Sequence, residues 1–344
     1  MFGILQDLLR ITGHLLNHEA YLSSKRGVSM SKIAFVFPGQ GSQYVGMGSD
    51  FVRDFSVSSD VFLKADQTLG FCISRLCFDG PEEELIKTEN AQPAILTTSI
   101  AILKAVAQMG IKCDITAGLS LGEYTSLVYS GVLSFEDAVR VVKNRGKYMQ
   151  ETVPLGVGAM AAIVGLDIDR LTEILQSSKE LGIVEIANYN SHEQIVISGE
   201  KNAIKDAAKK AKQAGAAKAV VLPVSAPFHC SLLKPAQERL ETDLNEIRFF
   251  DSQIMIVTNV FAKPSTEKEV LRTALVKQVS HSVLWKDSVE TMLDLGVDTF
   301  VEIGPGDTLT KLVRKIAEHN EKEISIFAIS TVDQLRDFGD DYEV

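Results

Sequence analysis

The chain has 344 residues, 45% hydrophobic and 23% charged, which suits a globular protein with one or two sizeable cores. Its 35 basic and 45 acidic side chains leave a formal charge of −10, a poor balance for non-specific nucleic-acid binding. No run of roughly 18 apolar residues argues for a membrane span, and Cys72, Cys77, Cys113 and Cys230 form neither a CxxC pair nor a zinc-spaced Cys/His cluster. The expectation is therefore no structural metal, no disulfide framework and a reducing, cytoplasmic setting.

Residues 1–29 read as an upstream extension. Ile4, Leu5, Leu8, Leu9, Ile11, Leu15 and Leu16 have helical spacing, but Asp7, Glu19 and the scarcity of Arg and Ser argue against a transit peptide. An organellar address would follow only if this segment were one. Ile33–Phe37 then predicts a buried strand that ends in the Gly-rich loop Pro38-Gly39-Gln40-Gly41-Ser42-Gln43. Helical patterns follow over 45–70 and 93–109, the second with Pro93 in its first turn and Gly110 as its stop. Cys113–Ala117 predicts a strand and Leu121–Ser130 a helix. Ser134-Phe135-Glu136-Asp137 is a capping-box variant opening a helix to about Gln150.

Residues 157–225 change rhythm. Strands over 159–164, 184–189, 194–198 and 219–224, with helices over 168–178 and 203–214, give the order βαββαβ, a ferredoxin-like unit. It reads as a small subdomain inserted into a large α/β-hydrolase-like domain made of 30–156 and 226–330. The second part carries helices over 234–246, 268–279, 286–295 and 307–318, and strands over 253–258 and 299–302. Alternating strands and helices imply a parallel sheet. Residues 331–344 are expected to be an acidic, fraying tail.

Gly118-Leu119-Ser120-Leu121-Gly122 is a GxSxG run between a predicted strand and a predicted helix, the context of a nucleophile elbow. A serine there needs a base. Spacing leaves His192, His229 and His281 open. Only His229 stands where the chain re-enters the large domain, beside the expected cleft. On its own, Arg145 reads as a surface arginine near Arg140, Lys143 and Lys147, and Gln40 as a loop residue.

Five runs, in order, carry a resemblance: Phe37–Gln43, Gly118–Tyr124 (GLSLGEY), Arg145–Gln150 (RGKYMQ), Pro227-Phe228-His229, and Glu302–Gly306 (EIGPG). Together they resemble the malonyl-CoA:acyl carrier protein transacylase family of type II fatty-acid synthesis, from about Met30 to about Ala317. The resemblance implies Ser120 as nucleophile and His229 as general base. It implies the backbone amides of Gln40 and Leu121 as oxyanion donors, and Arg145 as the grip on the free malonyl carboxylate. It also implies a backbone carbonyl, at Gln278, in place of a triad Asp. The substrates would be malonyl-CoA and phosphopantetheinylated acyl carrier protein, with no cofactor and no metal. Phe228 fits a malonyl pocket because its ring leaves little room for an α-methyl group. Leu119 stands where many members have His, and Ser282-Val283-Leu284-Trp285 lacks a common Pro. An acidic carrier protein suggests Lys286, Lys311, Arg314 and Lys315 as a basic receiving patch, against the plainer reading of a solvated helix face. A serine hydrolase or thioesterase, a carrier-binding scaffold without turnover, and a polyketide acyltransferase are the rival readings.

Overall fold

The computed structural model describes residues 31–224 and 226–341. The N-terminal extension and the last three residues lie outside the described residues. In chain order, β1 (Ile33–Phe37) precedes α1 (Ser49–Asp54), α2 (Ser56–Leu69), α3 (Ile73–Asp79), α4 (Glu82–Leu85) and α5 (Thr88–Gln108). Then come β2 (Ile115–Gly118), α6 (Gly122–Tyr129) and α7 (Phe135–Thr152). The small unit holds β3 (Gly158–Val164), α8 (Ile168–Ser178), β4 (Val184–Tyr189), β5 (Gln194–Glu200), α9 (Lys201–Gln213) and β6 (Lys218–Val221). The chain returns through α10 (Lys234–Glu246), β7 (Met255–Val257), β8 (Pro264–Ser265), α11 (Lys268–Gln278) and α12 (Trp285–Asp294). It ends with β9 (Thr299–Ile303), α13 (Thr308–His319), β10 (Ser325–Ile329) and α14 (Val332–Asp341).

The large sheet has the order β10-β9-β1-β2-β7-β8 and is parallel except for the short edge pair β7/β8. Its central strand β1 is buried at every position, as a strand covered by helices on both faces must be. From β1 the chain crosses to β2 on one side, whereas β9 leads to β10 on the other. The loops at the carboxyl ends therefore part company near β1, where open α/β sheets leave a crevice. The small sheet is antiparallel throughout, in the order β4-β5-β3-β6, with α8 and α9 burying Leu171, Ile174, Ile204 and Ala207 in their own core. One parallel bridge ties it to the large domain: Tyr189 N–H donates to Val283 O and Val283 N–H to Ala187 O. That use of Val283 and its neighbours accounts for the backbone of the Ser282–Trp285 run without a proline.

Three expectations are corrected. Helix α5 begins at Thr88, so Pro93 lies in its second turn and not its first. The strand β10 was not predicted, although Ser325–Ile329 pairs with β9 along its whole length. The expected fraying tail is helix α14. Its Val332, Leu335 and Phe338 are buried, and the Phe338 ring packs edge-on to Phe327 at 4.8 Å. Apolar side chains at three-residue spacing outweigh the acidic face that dominates the composition of this segment.

Candidate active site

The elbow at Ser120 is built by close approach. A Cβ on Gly118 would meet the carbonyl carbon of Gly122 at 1.9 Å, and one on Gly122 would meet Phe37 O at 2.1 Å. Only glycines let β2, the turn and α6 pack this tightly. Ser120 itself sits at φ 53°, a left-handed conformation that costs a residue with a side chain about 1 kcal/mol or more. What holds it there is Asn259, just past the end of β7. Asn259 Oδ1 accepts from Ser120 N–H at 2.6 Å, and Asn259 Nδ2 donates to Gly118 O at 2.7 Å. The Gly39 backbone lies against the Leu119 carbonyl, where a Cβ would come to 2.4 Å, so the first loop, and Gln40 with it, rests on the elbow. Gln40 donates its side-chain amide to Thr88 Oγ1 at 3.1 Å. Leu121 is the N-cap residue, immediately before α6.

His229 Nε2 is 2.8 Å from Ser120 Oγ, and His229 Nδ1 is 2.7 Å from Gln278 O. A carbonyl can only accept, so Nδ1 carries the proton and Nε2 presents a lone pair to the serine hydroxyl. Burial, and next the nearby Arg145 charge, push the His229 pKa down to about 3, so the imidazole rests neutral. Like Ser120, His229 is held in the left-handed region, at φ 59°.

Arg145 is fully buried and is not the surface arginine its neighbours suggested. It donates to Gln92 Oε1 at 2.7 Å, to Gln278 Oε1 at 3.0 Å and to Ser120 Oγ at 3.1 Å, and it lies over the Tyr124 ring at 5.6 Å. Burial lowers its pKa, with Tyr124 and Glu123 opposing, and a guanidinium stays charged even so. Gln278 therefore serves four partners: its carbonyl meets His229, its Oε1 meets Arg145, and its Nε2 donates to Ser120 O at 2.9 Å and to Glu123 Oε2 at 2.7 Å.

Sequence reasoning missed Gln92, Glu123 and Asn259. Gln92 was visible only as the residue before Pro93. Glu123 was the one charged residue of α6. Asn259 was a polar residue at the carboxyl end of a parallel strand, where site residues gather. His192 is stacked on His319 at 3.5 Å and pairs with Glu290, and His281 is an exposed residue bonded to Lys277 O. Neither joins Ser120. In the basic patch, Lys311 pairs with Asp307, Lys315 with Glu193 and Lys286 with Asp287, so three of the four charges are met locally. Among the described residues no cluster of His, Cys, Asp and Glu could hold a metal ion, and no helix is long and apolar enough to cross a membrane.

A serine paired with a neutral histidine, beside a buried guanidinium, is the equipment of an acyl transferase that handles an acid. The acyl transferase domain family matches residues 34–333. The chain belongs to the malonyl CoA-acyl carrier protein transacylase branch of the acyl transferase family. It is 46% identical over 288 residues to the malonyl CoA-acyl carrier protein transacylase of Bacillus subtilis, covering 83% of this chain and 91% of that protein. It is 45% identical over 290 residues to the enzyme of that name from Escherichia coli K12, covering 84% and 94%. Among solved structures, the malonyl CoA-acyl carrier protein transacylase of Clostridium perfringens matches with a TM-score of 0.87 at 43% identity, covering 91% and 98%. A malonyl-transacylase solved in complex with its type II PKS acyl-carrier protein matches with a TM-score of 0.87 at 41% identity, covering 90% and 100%. Family members are thus similar across almost the whole length, and the site lies inside the matched region.

Proposed function

We propose that the chain transfers the malonyl group from malonyl-CoA to the phosphopantetheine thiol of acyl carrier protein through an ester on Ser120, feeding fatty-acid chain elongation. One observation carries the chemistry: a single oxygen, Ser120 Oγ, is 2.8 Å from His229 Nε2 and 3.1 Å from Arg145 Nη2. As Oγ attacks the thioester carbonyl, its proton passes to His229 Nε2. The oxyanion that forms meets the backbone N–H groups of Leu121 and Gln40, with the N-terminal end of α6 behind it. Collapse breaks the C–S bond, and CoA leaves with the proton from His229. The carrier thiol then enters, gives its proton to His229, attacks the Ser120 ester and carries the malonyl group away. Ser120 regains the proton.

Arg145 sets which acyl group is accepted. One methylene separates the two carbonyl carbons of a malonyl group, so the free carboxylate of the ester lies within roughly 4 Å of Oγ. That is where the guanidinium already points. An acetyl group would leave the buried cation without its acid, and a lost polar contact in a dry site is a strong discriminator. No cofactor is required beyond the two thioester carriers. Free thiols at Cys72, Cys77, Cys113 and Cys230 fit a cytoplasmic setting.

Intact-mass analysis after incubation with malonyl-CoA or acetyl-CoA tests this reading. A malonyl adduct should form, vanish in Ser120→Ala, and pass to added holo acyl carrier protein. Arg145→Ala should lose the preference for malonyl over acetyl. Rapid release of free malonate without an acceptor thiol would make the chain a thioesterase and overturn the proposal.

A further inference from the structure

The reaction above makes no use of the most deeply buried acid near it. Glu123, on α6, is 1% exposed and is surrounded by groups from other elements. Its Oε2 accepts from Asn259 N–H at 3.0 Å and from Gln278 Nε2 at 2.7 Å, while its Oε1 has no hydrogen-bond partner. The other face of the same Gln278 amide accepts from Arg145 Nη2 at 3.0 Å. One neutral amide thus spans a buried anion and a buried cation. An amide with its oxygen toward the cation and its nitrogen toward the anion is polarised by both.

We propose that Glu123 is the counter-charge of Arg145, acting through Gln278, and that it sets how strongly the site attracts the second carboxylate of a malonyl donor. The inference rests on the reading of Arg145 as the carboxylate grip. With Glu123 ionised, Arg145 and Glu123 sum to zero before substrate arrives. A malonyl group then brings a second anion to one guanidinium. Glu123 weakens that attraction and in exchange fixes the Gln278 amide, hence the aim of the Arg145 fork. It is a positioning and specificity residue and touches no reacting atom.

Burial pushes the Glu123 pKa up to about 7, against the hydrogen bonds from Asn259 and Gln278 and the Arg145 charge. The other charged or titratable groups facing this cage hold one state near neutrality. Arg145 from α7 stays a cation, Tyr124 from α6 is raised well above its ordinary range by burial, and His229 is held neutral. Gln92 from α5, Gln278 from α11 and Asn259 past β7 contribute only neutral amides. Protonating Glu123 in the wild type should therefore imitate removal of its charge.

The test compares kcat/KM for Ser120 acylation by malonyl-CoA and by acetyl-CoA, with Arg145→Ala as the control. Glu123→Gln keeps an oxygen that can accept from Gln278 and Asn259 but removes the charge. Its malonyl-to-acetyl ratio should rise roughly three- to tenfold, the scale of one screened charge interaction, mainly through a lower KM for malonyl-CoA. Glu123→Ala removes the bond to Gln278 as well and should lower kcat for both donors. In the wild type the ratio should rise as pH falls from 8 to 6, because the charge is lost on protonation; titrations shared by both donors cancel. An unchanged or lower ratio in folded Glu123→Gln overturns the inference. So does a flat ratio across that pH range in the wild type, which needs no variant to fold. If Arg145→Ala keeps the malonyl preference, the Arg145 reading and this inference fall together. If only the Glu123 arms fail, the Arg145 reading stands.

Discussion

Asn259→Ala should cripple acylation far more than its distance from the chemistry suggests. The side chain is fully buried and makes two bonds to the elbow, to Ser120 N–H at 2.6 Å and to Gly118 O at 2.7 Å. Truncation leaves a buried donor and a buried acceptor without partners, at about 1–3 kcal/mol each. The strain of a left-handed Ser120 is then opposed by one clamp fewer, and the turn should relax toward ordinary φ values. A shift of Oγ by even about 1 Å from His229 costs on the order of a hundredfold in rate. Expected, therefore, are a stability loss of about 2–6 kcal/mol in urea and a roughly hundredfold slower single-turnover acylation of Ser120, followed by quenched-flow mass analysis. Asn259→Asp should fare no better. It can accept from Ser120 N–H but cannot donate to Gly118 O, and it adds a charge beside Glu123. If Asn259→Ala loses stability yet acylates at the wild-type rate, the elbow holds itself and the clamp reasoning is wrong.

Two further outcomes follow. His229, held near pKa 3, stays neutral well below the ordinary histidine range, so kcat/KM for acylation should show no loss of a base near pH 6.5. An inflection there that survives in Glu123→Gln would contradict this, whereas one near pH 7 that disappears in that variant belongs to Glu123. Phe338→Ala, which empties the contact of α14 with Phe327, should cost about 3 kcal/mol in urea unfolding, and a frayed tail would cost nothing.

How much of this could be read from the sequence depended on whether the relevant signal was local. β1, the βαββαβ unit and the GxSxG elbow are local patterns, and each appears in place. The Ser134 cap also forms, accepting from Asp137 N–H. Helix α14 was obscured because its apolar residues, Val332, Leu335 and Phe338, are few and lie among acids, and their burial against α1 and Phe327 is decided by the rest of the fold. Strand β10 is different: Ile326, Phe327, Ala328 and Ile329 are a short apolar run that was legible locally, and only its pairing with β9 needed the fold. Arg145 shows the same limit at the site. On helix α7 its sequence neighbours Arg140 and Lys147 are exposed and Lys143 is half-buried beside Glu89, and only the packing of α5, α6 and α11 reveals that position 145 points inward. Gln92 and Asn259 act at separations of 53 and 139 residues from the atoms they hold, beyond the reach of any motif.

The absence of an Asp behind His229 follows from the charge already present. In a Ser-His-Asp arrangement the carboxylate stabilises the imidazolium that forms as the serine attacks. Here Nδ1 meets a neutral carbonyl, and Arg145 makes a cation at His229 less favourable still. On the proposed reading His229 is then a weak base, but exchanging one thioester for another through an ester asks little driving force of it. A carboxylate at Nδ1 would compete for Arg145 with the acid that the substrate brings. The carbonyl of Gln278 orients the ring without adding that competitor, and the one nearby anion, Glu123, is set back behind the Gln278 amide. A site that must attract a carboxylate to a guanidinium beside its nucleophile gains by keeping other anions off both. Placing Glu at position 278 would therefore leave His229's carbonyl contact in the backbone yet put an anion directly on Arg145, with loss of the Nε2 bonds to Ser120 O and Glu123. Gln278→Glu should lose malonyl preference more than it loses acetyl turnover, and equal losses for both donors would count against this account of the missing Asp.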